Sequence, residues 1–323
     1  MIDTAVILAV SSAAHGSQLQ EKRPRAMLPA LGKPMVVRVM DRLYSETIRR
    51  FKIIVGVNDG AIVSYLKNQW MPDATVEPIL QTNESLGLLM ARIARTIENP
   101  FIVASYNSFT FARYIRVLFK QHQEHEDALI LTGANLTLSP DALTNRYAVL
   151  SDENVTNIVP TKPTDAHYVL TEHSVCGYQF VEHLQALDDR TASSYGKTWF
   201  DIIRSYINTP NAQVKLAETS WILRVESDAD LLTLNKRLLD DSNDGHVLSE
   251  LPYTVKVNLP VRIDPQVSVG QHVEIGPHVY IERGSSIGYG AKIKNAVVLA
   301  KGNVPSDSIV ENAIVTSRRI VNV

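Results

Sequence analysis

Past Pro260 the chain repeats itself every six residues. Ile263, Val269, Ile275, Ile281, Ile287, Ile293 and Leu299 are all apolar, and two residues before each stand Val261, Val267, Val273, Val279, Ser285, Ala291 and Val297, all apolar or small. Glycine follows at 270, 276 and 288. A strand alone alternates with period two, so a period of six needs another cause. A coil of three short strands, each hexad forming one flat side with turns between, supplies it. Seven hexads make little more than two coils. So short a solenoid leaves its ends open unless it is capped or paired. The expectation is a homo-oligomer or a partner subunit held through this region.

The pattern resembles a left-handed β-helix of hexapeptide repeats. The first half of the chain reads differently. Ala5–Val10, Phe51–Val57, Thr75–Leu80, Pro100–Ser105 and Ala128–Ala134 are short apolar runs, read as buried strands. Amphipathic stretches at Met35–Ser45, Gly60–Trp70, Ser85–Ile97 and Phe111–His125 alternate with them. Such alternation predicts parallel pairing, right-handed crossovers and a three-layer α/β sheet. Ligands then sit outside the carboxyl ends of the strands, where the Ser11–Arg25 loop leaves the first strand. From Arg146 to Phe180 strand-like segments are split by Pro160 and Pro163, and helical patterns return at Lys197–Tyr206 and Asp228–Asp241. The polar break Asp241–His246 divides the chain into an expected α/β domain at 1–243, a linker at 244–258 and the β-helix at 259–323.

Bulk properties exclude several function classes. A net charge of −2 offers no electrostatic case for nucleic acid or a membrane surface. The single cysteine, Cys176, reads as core, rules out an intrachain disulfide and fits a reducing compartment. The first residues carry no basic n-region, Ala5–Val10 is too short for a signal-peptide core, and no apolar run has the length of a membrane span. The expected location is cytoplasmic.

The stretch Ala5–Pro34, AVILAVSSAAHGSQLQEKRPRAMLPALGKP, carries the chemistry. It resembles the opening of the sugar-phosphate nucleotidyltransferases, which join a nucleoside triphosphate to a sugar-1-phosphate. That opening is an apolar strand, G-x-G-T-R, then P-K, L-P and G-K-P. The strand, Pro24, Leu28, Pro29, Gly32, Lys33 and Pro34 fall in register, but Ser11 and Ala13 replace the glycines, Ala14 the Thr, His15 the Arg and Arg25 the Lys. Further echoes follow in order. Gln81 with Leu86-Gly87 looks like the base-reading segment, Thr161-Lys162-Pro163 like E-K-P, Gly177–Phe180 like the G-x-Y-x-F strand, and Trp221 with Arg224–Leu231 like W…D-I-G-T-P-x-D-L. The resemblance implies a Rossmann-like three-layer nucleotidyltransferase domain followed by a short left-handed β-helix.

The family's reaction brings two anions together, so it depends on positioning and on charge neutralisation by Mg²⁺ held on carboxylates. The resemblance places Asn107 and Arg224 where the family has its two metal-binding aspartates. One ligand has become neutral and the other cationic. His15 replaces a permanently charged group by one mostly neutral at pH 7. No catalytic residue, metal ligand or cofactor is therefore expected; Mg²⁺ enters only if Glu226 and Asp228 act as substitute ligands. The degenerate nucleotide site comprises Ser11, Ala13, His15, Arg25, Gln81, Gly87 and Asn107, with Lys162 and Arg224 toward a sugar phosphate or other anion. Three classes follow: an inactive homologue that senses a phosphorylated small molecule or supports an active paralogue, a working nucleotidyltransferase with rearranged ligands, and an assembly protein with an empty cleft. His122 and His125 read as a solvated helix end, and His272 and His278 as turn residues of the coil.

Overall fold

A computed structural model describes residues 2–10, 19, 23–136, 146–161, 168–241 and 245–323. The chain forms two compact units. Met1–Ser12 and Val36–Arg224 make the first, and Ala13–Met35 with Val225–Val323 the second.

The elements up to Arg224 run β1 (Thr4–Leu8), α1 (Met35–Tyr44), β2 (Arg50–Gly56), α2 (Gly60–Gln69), β3 (Thr75–Gln81), α3 (Leu86–Ala94), β4 (Phe101–Ser105), β5 (Ser108–Phe109), α4 (Tyr114–Glu124), β6 (Leu129–Asn135), β7 (Tyr147–Ser151), β8 (Asn154–Val159), β9 (Tyr168–Cys176), α5 (Tyr178–Ala186), α6 (Asp189–Ser194), α7 (Trp199–Ile207), β10 (Val214–Thr219) and β11 (Leu223–Arg224). Among the described residues the main sheet has nine strands in the order β3-β2-β1-β4-β9-β6-β10-β8-β7. The strands β1 to β4 are parallel, as their helical crossovers require. Strands β6 and β10 also pair in parallel, and the departure lies in β7, β8 and β9. Strand β9 runs antiparallel between β4 and β6, and β7 and β8 pair antiparallel at the far edge. Strands β8 and β9 run in the same sense, because β7 pairs antiparallel with both.

This insertion positions the site. The pairs run Phe101↔Cys176, Ile102↔Val175 and Val103↔Ser174, so the residues before Ser174 lie toward the carboxyl end of β4. The Gly177–Phe180 stretch, expected as strand, instead opens α5 at Tyr178 with Gly177 as N-cap. A side chain at Gly177 would meet the Ala128 carbonyl oxygen at 2.3 Å, so the close approach of this turn to the chain before β6 dictates glycine. In the core, Phe180 meets Trp199 and Tyr206 edge to face, with ring centroids 5.8 and 4.7 Å apart. Cys176 is wholly buried, and burial pushes its thiol pKa well up.

In the second unit, the helix α8 (Asp228–Asp241) is followed by a short parallel β-helix. Its first rungs step by eighteen residues, or three hexads: Lys256↔Glu274, Val261↔Val279 and Ser268↔Ser286. The following step is seventeen: Val279↔Ala296, Ser286↔Asn303 and Lys292↔Ile309. The corner at Asn295 is one residue shorter than the corresponding corner at His278; both residues sit at positive φ. The period-six frame is therefore broken after Ile293. Val298, not Leu299, pairs with Ile281, and Ala296 takes the place the repeat gave to Val297. Pairing from Lys256 through Ile309–Val315 also gives more than three coils rather than little more than two. Val297 joins Tyr280 and Ile314 in a column that is buried although it lies outside the coil's interior cluster. Helix α8 packs against the strands Lys292–Val298 and Ile309–Val315 that carry two of these residues.

Candidate functional site

A cavity of about 400 Å³ opens at the carboxyl ends of β1, β3 and β4, within the first unit. Its floor is apolar, from Leu8, Val10, Ile54 and Leu86; its polar wall comprises Gln81, Thr82, Ser105, Asn107, Arg146, Glu172, Lys197, Thr198 and Arg224. This is the position an open α/β sheet offers a ligand.

The two positions that the family gives to metal-binding aspartates do come together. Strand β11 pairs antiparallel with β5, with Arg224 opposite Ser108, the residue after Asn107. The Asn107 Oδ1 accepts a hydrogen bond from Ser105 Oγ at 2.7 Å. Arg224 donates from Nη1 to Glu172 Oε1, and Arg146 reaches the same oxygen at 2.7 Å. Ser108 Oγ donates to the other carboxylate oxygen at 2.6 Å. The Arg146 guanidinium also lies over the Phe200 ring, 4.6 Å from its centroid.

Glu172 is 4% exposed. Burial works to raise its carboxyl pKa, but Arg224, Arg146 and the Ser108 hydrogen bond outweigh burial and hold it below the ordinary carboxylate range. The acid is thus an anion already committed to two guanidiniums. Three basic side chains line the cavity (Arg146, Lys197, Arg224) against this one acid. Lys197 is exposed and makes no ion pair with the described residues. It precedes Thr198, which caps α7 through a reciprocal pair of hydrogen bonds with Asp201.

The adjacent His173 faces elsewhere. It lines a void of about 10 Å³ with Arg42, Thr110 and Tyr114. Burial, reinforced by the Arg42 charge and opposed by Glu172, lowers its pKa to about 4, so the imidazole is neutral. Its Nδ1 has no hydrogen-bond partner among the described residues.

The remaining sequence candidates fall in several places. Ser11, Ala13, His15 and Lys162 lie outside the described residues. Gln81 lines the cavity, its Nε2 donating to the Glu84 carbonyl at 3.4 Å. Gly87 lies in the first turn of α3, where a side chain would meet the Ala192 carbonyl oxygen at 2.4 Å; its bareness serves α6. Arg25 belongs to the second unit, in a 3-10 turn, and is 2% exposed. Its Nη2 reaches only the Val225 carbonyl at 3.5 Å, and its Nη1 has no partner among the described residues. Glu226 and Asp228 sit at the start of α8, also in the second unit, where Asp230 accepts hydrogen bonds from the Glu226 and Ser227 amides. His122 is buried near the end of α4, and burial lowers its pKa.

Mg²⁺ does not fit the described side chains of the cavity. The only carboxylate lining it is spent on Arg146 and Arg224, and the Asn107 oxygen already accepts from Ser105. Among the described residues no three His, Cys, Asp or Glu side chains gather as a metal cluster.

Comparison with known proteins agrees with this fold. Residues 257–322 match the family of the GMPPB C-terminal domain. The chain is 27% identical over 183 residues to bifunctional protein GlmU of Exiguobacterium sp. (strain ATCC BAA-1283 / AT1b). That match covers 56% of this chain and 39% of GlmU, so the chain spans about two fifths of the relative's length. In structure it is similar to a Bacillus anthracis protein assigned as a glucose-1-phosphate thymidylyltransferase and solved with a sucrose, with TM-score 0.62 and 15% identity over 74% of this chain and 96% of that one. HddC from Yersinia pseudotuberculosis complexed with GMP-PN gives 0.56 and 15%, covering 72% and 98%, and the inositol-1-phosphate CTP transferase from T. maritima gives 0.56 and 13%, covering 71% and 91%. The chain therefore has an α/β nucleotidyltransferase fold joined to a short parallel β-helix. It is related to the sugar-phosphate nucleotidyltransferases. Among the described residues no helix is long and apolar enough to cross a membrane.

Proposed function

We propose that this protein is an inactive homologue of the sugar-1-phosphate nucleotidyltransferases that binds a phosphorylated small molecule without Mg²⁺ and acts as a regulatory or scaffolding subunit. One observation carries the reading. The single acid among the cavity's described residues, Glu172, is locked between Arg146 and Arg224, so cations stand where the related chemistry needs metal-holding carboxylates. A cationic cavity of this kind favours a phosphorylated ligand directly, through charge-assisted hydrogen bonds. Assembly with a second copy or an active paralogue would use the β-helix, whose strand Ile309–Val315 carries a 77% exposed Ile309. We place the protein in the cytoplasm, as its lone buried thiol suits a reducing compartment.

The test is twofold. Pyrophosphate release from each nucleoside triphosphate with sugar-1-phosphates and Mg²⁺ should stay at background; turnover above it would reject inactivity. Nucleotides or sugar phosphates should raise the melting temperature equally with and without EDTA. Loss of that stabilisation on chelation would reject metal-free binding, and no stabilisation by any ligand would leave the assembly role alone.

A further inference from the structure

Lys197 sits on the short turn between α6 and α7, and the backbone of that turn is fixed from both sides. The first anchor is Tyr195, the C-cap of α6, whose amide donates to the Ala192 carbonyl at 3.2 Å. Its hydroxyl lies 2.9 Å from His183 Nε2 on α5, and the two rings stack with centroids 5.8 Å apart. Gly87, next to the cavity-floor residue Leu86, makes room for this seat. A side chain there would meet the Tyr195 Cβ at 2.7 Å.

The second anchor is Asp201, in the first turn of α7. Its Oδ2 accepts from the Thr198 amide at 3.0 Å and from the Thr198 hydroxyl at 2.7 Å, and its Oδ1 accepts from Arg204 Nη1 at 2.8 Å. Gly196 stands at φ 93, a conformation glycine adopts without strain, and a side chain on it would come within 2.7 Å of the Asp201 Cβ. Burial works to raise the Asp201 pKa. The Thr198 hydrogen bonds, the Arg204 charge and the Lys197 amide outweigh burial and hold the carboxyl below the ordinary carboxylate range. Tyr195 and Thr198 thus spend their polar groups on the protein, and Gly196 has no side chain. Lys197 is the residue of the turn that offers a charge to the cavity. A lysine is a compact charge on a flexible stem, so its use at a site depends on where its backbone is held.

We propose that Asp201 is a positioning residue that aims Lys197 at the phosphate of a ligand in the first unit's cavity, and that the two together set its preference for a phosphorylated over an unphosphorylated sugar. The inference rests on the reading of that cavity as a site for a phosphorylated small molecule. Asp201 is not among the cavity's described lining residues; it acts through the turn.

Calorimetric titration of the full chain with glucose 1-phosphate, in EDTA, tests the proposal. Asp201→Ala should weaken binding by roughly tenfold, as Lys197→Gln should, the effect of one charge-assisted contact. In the double variant the losses should not multiply, because Asp201 acts through Lys197. Asp201→Asn keeps an acceptor for the Thr198 amide and should restore most of the affinity. Glucose, which has no phosphate, should distinguish none of the variants from the wild-type chain. On the wild-type chain, glucose 1-phosphate should protect Lys197 from acylation read by mass spectrometry, a measurement that requires no variant to fold. Unchanged affinity in Asp201→Ala, multiplying losses in the double variant, no rescue by Asp201→Asn or no protection of Lys197 would overturn the proposal while the ligand site stands. A wild-type chain that binds neither glucose 1-phosphate nor any nucleoside triphosphate would overturn the ligand-site reading and this inference with it.

Discussion

The two units bury their strands on opposite terms. The interior of the β-helix is filled by Val, Ile and Ala, one column above another. In β9, at the heart of the sheet, Thr171, Glu172, His173 and Ser174 are consecutive, polar and all buried. An apolar column has only to pack, and each added coil repeats the solution. A buried carboxylate must be compensated, and a carboxylate between two guanidiniums is weak evidence for stability, because desolvation offsets most of the attraction. Such a departure from simple burial is expected where a protein keeps a site. On the proposed function, the coil supplies stability and the sheet's carboxyl edge takes the ligand.

The largest expected effects set the two regions against each other directly. Glu172→Gln leaves Arg146 and Arg224 without their shared anion and should cost about 3 kcal/mol at neutral pH. Ile281→Ala, a fully buried truncation inside the coil, should also cost about 3 kcal/mol. Acid separates them. Glu172 has a folded pKa below its ordinary value of 4.5, so its contribution is complete above that value and is lost as pH falls through the depressed folded value. The cost of Glu172→Gln should shrink in that acid range, while that of Ile281→Ala should not. Urea unfolding of both variants at pH 7 and at progressively lower pH checks this. Parallel curves would break the comparison.

His173 sharpens it at the next residue. Its folded pKa, about 4, lies below the ordinary 6.5, so the folded state binds fewer protons and stability rises with pH across that interval. Stability is held above about pH 6.5 and lost progressively down to about 4, by an amount on the order of 3 kcal/mol. In His173→Gln the slope of stability against pH over this window should flatten. An unchanged slope would place the acid sensitivity elsewhere.

Much of this architecture is legible in the sequence because buried parallel strands are apolar runs. Phe51–Val57 against the observed Arg50–Gly56, and Pro100–Ser105 against Phe101–Ser105, differ by a residue at an end. The coil is legible through Ile293 and then misread, since Val297 and Leu299 are themselves apolar and conceal the residue missing from the corner at Asn295. Pairing, not composition, reveals it. At the site, resemblance led to Asn107 and Arg224, which the fold does bring together, yet it could not supply Glu172 and Arg146, because β9 reaches that edge by an antiparallel return. One signal was present: four polar residues in a row, flanked by Val169-Leu170 and Val175-Cys176, sit oddly in a strand otherwise suited to burial. Lys197 carried no signal in the sequence.

The smallest expected effect on stability falls on Lys197, and for that reason it isolates function from folding. The side chain is exposed at the cavity and makes no ion pair with the described residues, so Lys197→Gln should shift the free energy of unfolding by no more than about 0.5 kcal/mol. If the sheet's edge is a ligand site, the same change should weaken binding of glucose 1-phosphate, or of whichever nucleoside triphosphate binds, by roughly tenfold, with or without EDTA. Lys197→Arg keeps the charge and should restore most of the affinity. A loss of stability approaching that of Glu172→Gln would make Lys197 part of the buried charge network. An unchanged affinity would mean that Arg146 and Arg224 serve only Glu172, and the cavity would then be a packing solution like the coil.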